Sequence, residues 1–130
     1  MSSPATILLV DDYRDALDIW DIYLSGFGFH VVTATNGTDA LALAEQQRPA
    51  VVVTDLELPG ISGFDVARQL RAQPHTSSVP LIAVTGYSHV VNSDQAREAG
   101  FDRVIVKPCP PDVLLEEIRR VLDSRPSRES

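Results

Sequence analysis

Along this chain, short apolar runs alternate with segments whose apolar residues recur every three or four positions. The runs are Ile7–Val10, His30–Thr33, Val51–Thr54, Leu81–Val84 and Val104–Val106. Short β-branched runs bounded by turn signals predict strands buried on both faces. Between them, Leu17, Trp20 and Leu24 share one helical face, as do Phe64, Ala67 and Leu70. Residues 38–47 predict a further helix, stopped before Pro49, and Asn92–Ala99 predict a short one closed by Gly100. Leu114, Ile118, Val121 and Leu122 form the clearest apolar stripe of all.

Strand and helix thus alternate five times. That order predicts an α/β fold, a mostly parallel sheet covered by helices on both faces, with right-handed crossovers. Residues 6–123 read as one domain without repeats or an internal linker. Residues 1–5 read as a flexible N-terminus, and residues 124–130, with Pro126 and three serines, as a flexible tail.

The polar residues in unusual positions all follow strands. Asp11 and Asp12 follow the first, Asp55 the third, Thr85 the fourth and Lys107 the fifth. In an open parallel sheet the carboxyl ends of the strands share one edge, where such folds bind ligands. An Asp after a strand often caps a helix or starts a turn, and a single Thr or Lys there is unremarkable. Five such residues brought to one edge are better explained as a site. Crowded carboxylates raise one another's pKa unless a cation intervenes. Oxygen-only ligands suit a hard ion such as Mg²⁺. Phosphoryl transfer onto a carboxylate needs positive charge against the equatorial oxygens. Asp55, alone on a central strand, is the best acceptor. Asp11 and Asp12 would hold the metal, and Lys107 and Thr85 would each contact a phosphoryl oxygen.

Composition narrows the possibilities. The 130 residues suffice for one core, and 44% hydrophobic content is ordinary for a globular protein. No apolar run approaches the ~20 residues of a membrane span, and Met1–Ala5 lacks the features of a signal peptide. The net charge of −7 argues against direct binding to nucleic acid. Cys109 is the only cysteine, which excludes an internal disulfide and suits a reducing cytoplasm. Of eleven basic residues, Lys107 is the only lysine. His30, His75 and His89 show no ligand spacing, and Cys109 and Trp20 read as packed residues.

Four segments then resemble the receiver domain of two-component response regulators, together spanning roughly residues 5–123. "ILLVDDYRD" resembles the acidic-pocket segment, and "VVVTDLELPGISGFDVARQLR" the phosphoacceptor strand, its loop and the next helix. "PLIAVTGYS" resembles the strand with the hydroxyl residue, and "GFDRVIVKPCPPDVLLEEI" the lysine strand and last helix. The resemblance implies a flavodoxin-like strand order 2-1-3-4-5 and a cis Lys107-Pro108 bond. It implies phosphorylation of Asp55 by a sensor histidine kinase or histidine phosphotransfer protein, with Thr85 and Lys107 completing the catalytic set. Asp12, Asp55 and the Glu57 carbonyl would bind Mg²⁺, and Asp11 would assist through water. Such a protein would be a stand-alone signalling receiver. It would catalyse only its own phosphorylation and dephosphorylation and act through an unidentified downstream protein.

The chain departs from the family at Val104, where receivers often carry an aromatic that rotates inward on activation. Glu57 and Tyr87 occupy positions that influence the access of water in this family, and Gly86 leaves room beside Thr85. A haloacid-dehalogenase-like phosphatase would need a second Asp where Tyr13 stands. A degenerate receiver used only for binding would not need all five residues, and a flavodoxin-like carrier would not put "DDYRDA" at its phosphate loop.

Overall fold

In a computed structural model, which describes residues 4–86 and 94–124, five strands and five helices alternate. They are β1 (Thr6–Val10), α1 (Arg14–Ser25), β2 (His30–Ala34), α2 (Gly37–Gln47), β3 (Val51–Thr54), α3 (Gly63–Ala72), β4 (Leu81–Thr85), α4 (Asp94–Ala99), β5 (Arg103–Val106) and α5 (Pro111–Ser124). All neighbouring strands pair in parallel, in the order β2-β1-β3-β4-β5. The strand order implied by the resemblance is therefore the order observed, and Lys107-Pro108 is cis.

Alternation along the strands divides the core in two. Leu8, Val10, Val52, Leu81 and Ala83 face one way, against residues of α2, α3 and α4. Ile7, Leu9, Val51, Val53, Ile82 and Val84 face the other way, against α1 and α5. Strands β1, β3 and β4 are buried on both faces as the sequence predicts, apart from the half-buried Thr6. The outer strands are not. His30 and Arg103 are exposed, and the rest of both strands is half-buried except Ala34, because an edge strand has a neighbour on one side only.

Helix ends follow local chemistry. Asn36 accepts from the Asp39 N–H at 2.8 Å and so caps α2. Ser62 and Asp65 form a reciprocal capping box on α3. Gly100, at φ +109°, turns the chain from α4 into β5. The predicted stripe of α1 (Leu17, Trp20, Leu24) is buried. On α3 the predicted Ala67 and Leu70 are buried together with Val66, and Phe64 is half-buried against the same core. Of the predicted helix Asn92–Ala99, residues 92 and 93 lie outside the described residues.

At the sheet edge where the strands begin, Arg71 donates to the carbonyls of Ser77, Val79 and Gly100 and pairs with Asp102 at 3.2 Å. Asp102 in turn accepts from the Leu81 N–H at 2.8 Å. This clamp fixes α3, the start of β4 and the α4–β5 turn to one another, and leaves the opposite edge to the polar cluster.

Candidate functional site

The sheet brings Asp11, Asp12, Asp55, Thr85 and Lys107 to the edge where the strands end. Thr85 is the last residue of β4 rather than the residue after it, and it is fully buried. Its carbonyl accepts from the Lys107 N–H at 2.7 Å, which sets the height at which the Lys107 side chain leaves β5. The Lys107 ammonium then spans two carboxylates, 2.8 Å from Asp11 Oδ2 and 3.0 Å from Asp55 Oδ2.

The adjacent aspartates have different environments. Asp11 is buried, and both its oxygens are engaged: Oδ1 accepts from the Tyr13 N–H at 2.9 Å, and Oδ2 accepts from Lys107. Asp12 is exposed. The ammonium therefore relieves part of the repulsion that the sequence leaves to a metal. Asp55 is buried, and its Oδ1 accepts from the Glu57 N–H at 3.1 Å.

Burial raises the Asp55 carboxyl above its ordinary value, and the Glu57 N–H and Lys107 offset this only in part. For Lys107, burial works against the charge. The hydrogen bonds and charges of Asp11 and Asp55 outweigh it and hold the ammonium above the ordinary lysine value.

Asp11, Asp12 and Asp55 each offer an oxygen, all within 4.8 Å of one another. This is a hard, oxygen-only donor set of the kind that suits Mg²⁺, which takes one or two carboxylates and keeps several waters. Asp12, Asp55, Glu57 and Ser62 help line an open cavity of about 560 Å³ beside them, with room for those waters. The loop under the cavity is fixed by the Gly63 N–H, which donates to the Leu56 carbonyl at 2.9 Å.

Comparison with known proteins gives the family. The family model of the response regulator receiver domain matches residues 7–119. The chain belongs to that family. It is 36% identical over 118 residues to the protein PilH of Pseudomonas aeruginosa, a match covering 91% of this chain and 98% of PilH. It is 38% identical to the DNA-binding response regulator MtrA of Mycobacterium tuberculosis over 87% of this chain, which spans only 48% of that longer protein. Among solved structures, chemotaxis response regulator CheY4 of Vibrio cholerae superposes with a TM-score of 0.86 at 28% identity, covering 92% of this chain and 99% of that one. A CheY-like receiver domain from Methanospirillum hungatei gives 0.86 at 32% identity, covering 93% and 95%.

Membership implies a histidine kinase as phosphodonor and a role in signalling. Nothing favours the phosphatase alternative: Tyr13, where its second Asp would stand, is 61% exposed. Val104 is half-buried against the core on the α2–α4 side of the sheet. Tyr87 lies outside the described residues. Among the described residues no helix is long and apolar enough to cross a membrane.

Proposed function

We propose that this receiver takes a phosphoryl group onto Asp55 from a histidine kinase or phosphotransfer protein and signals to a downstream protein by changing shape. The observation that carries the reading is the Lys107 ammonium bridging Asp11 and Asp55 beside a three-carboxylate cluster. In the reaction an Asp55 carboxylate oxygen forms a bond to phosphorus as the bond to the leaving group breaks. Lys107 and the Thr85 hydroxyl then contact the phosphoryl oxygens and offset the charge spread over them.

Asp12, Asp55 and the Glu57 carbonyl would hold Mg²⁺, with Asp11 assisting through water. When bound, the ion supplies positive charge to the phosphoryl oxygens. The chain's own chemistry is confined to gaining and losing this group. A cytoplasmic site of action fits the single free thiol of Cys109.

Incubation with acetyl phosphate and Mg²⁺ should add one acid-labile phosphoryl group, detectable by intact mass. Asp55→Asn should abolish it. Labelling of Asp55→Asn at the wild-type rate would end the assignment.

A further inference from the structure

Trp20, the only tryptophan of the chain, is buried on the inner face of α1. Its indole N–H donates to the Cys109 carbonyl at 3.1 Å, across 89 positions of sequence. Cys109 lies in the stretch between Lys107 and the start of α5 at Pro111. Pro108, Pro110 and Pro111 have no N–H, so the backbone there has few donors with which to anchor itself. Among the described residues, the Trp20 bond is the hydrogen bond that joins this stretch to α1.

We propose that Trp20 is a positioning residue for Lys107. By holding the Cys109 carbonyl, the indole fixes the segment leaving Lys107, so that the ammonium sits between Asp11 and Asp55. The proposal rests on the reading of Lys107 as a contact to the transferred phosphoryl group. A Trp that merely fills the core could be replaced by another ring of similar character. One that positions the lysine needs its N–H, because a buried carbonyl that loses its donor must move towards another.

Trp20→Phe separates the two, since it keeps an aromatic ring and removes the donor. Small displacements of a catalytic group are costly in rate. The maximal rate of phosphorylation by acetyl phosphate should therefore fall by about tenfold. The hydrogen bond of Trp20 goes to the Cys109 carbonyl and not to any of the three carboxylates, so the affinity for Mg²⁺, measured by calorimetric titration, should stay within about twofold. An unchanged rate overturns the proposal, as does a loss of rate matched by an equal loss of Mg²⁺ affinity.

If Trp20→Phe does not fold, the wild-type protein decides through its single indole. Beryllofluoride with Mg²⁺ (its fluorines standing in for phosphoryl oxygens) should change Trp20 emission, and Lys107→Ala should remove that change. Constant emission, or an equal change in Lys107→Ala, overturns the proposal. Wild-type protein that accepts no phosphoryl group at all overturns the phosphoacceptor reading itself, and this proposal with it.

Discussion

Lys107 bridges two separate carboxylates with one nitrogen, a task suited to a compact ammonium on a flexible stem. A planar guanidinium is shaped to grip one carboxylate with two parallel bonds. This gives a physical reason for the one lysine in a chain that otherwise uses arginine. Two residues on, burial, reinforced by the charges of Glu117 and Asp112, pushes the Cys109 thiol up to about 11 from 9.0. The folded protein therefore keeps a proton there that the unfolded chain loses. The resulting stability is fully present below pH 9 and is lost as pH rises through about 11. Lys107, also held above its ordinary value of 10.5, acts in the same direction as pH rises past that value. Urea midpoints should accordingly fall through the alkaline range, and Cys109→Ala should flatten the fall between pH 9 and 11. At pH 8 the native thiol should alkylate with iodoacetamide about a hundredfold more slowly than in urea-unfolded protein, because less of it is thiolate. Equal rates would show that Cys109 is neither buried nor shifted.

The loop from Asp55 to α3 shows how an element holds a site. A methyl group added at Gly63 would overlap the Asp55 carbonyl oxygen and lie 2.8 Å from Leu56 Cα, both of them backbone. At Gly37 an added methyl would meet side-chain atoms instead, with Ile61 Cγ1 at 2.5 Å, Val66 Cγ2 at 2.8 Å and Ile61 Cδ1 at 2.9 Å. Gly63→Ala should thus displace the loop after Asp55 and cost about 1–3 kcal/mol in urea unfolding, and on the proposed role of Asp55 it should slow phosphorylation. Gly37→Ala should cost less than Gly63→Ala, since the side chains of Ile61 and Val66, though β-branched and stiff, yield more readily than backbone and alanine favours the helix. Comparable losses from both would mean that the Gly63 contact relaxes freely. The sequence does not reveal this contact, because glycine leaves no periodic signal. It does reveal the α1 stripe, since Leu17, Trp20 and Leu24 follow helical spacing. The α3 stripe of Phe64, Ala67 and Leu70 is also legible and packs on one core, with Phe64 half-buried under Arg68 at 6.0 Å, while the buried Val66 is the member the spacing omits.

At the scale of the molecule, the parallel sheet follows from alternation and the position of the site from the polar residues after the strands, whereas the strand order comes from the family resemblance. The Arg71 clamp was not legible, because its acceptors are mostly backbone carbonyls, which look the same in any sequence. Nor was the contrast between Asp11 and Asp12, which depends on a lysine 96 positions from Asp11. That contrast sets the electrostatics at this edge of the sheet. In a chain of net charge −7, three carboxylates meet at one edge, and one ammonium reaches only two of them. Among the described residues no hydrogen bond or ion pair holds the Asp12 side chain, and it is exposed. Its charge therefore adds repulsion to the metal-free fold without a compensating partner. Mg²⁺ at a hundred times its dissociation constant should stabilise the wild type by about 2.7 kcal/mol, measured by urea unfolding. Asp12→Asn should lose most of that gain, yet leave the metal-free protein as stable as the wild type or more so. A metal-free Asp12→Asn clearly less stable than the wild type would instead give Asp12 a structural role, at the turn where Tyr13, without any side-chain cap, begins α1.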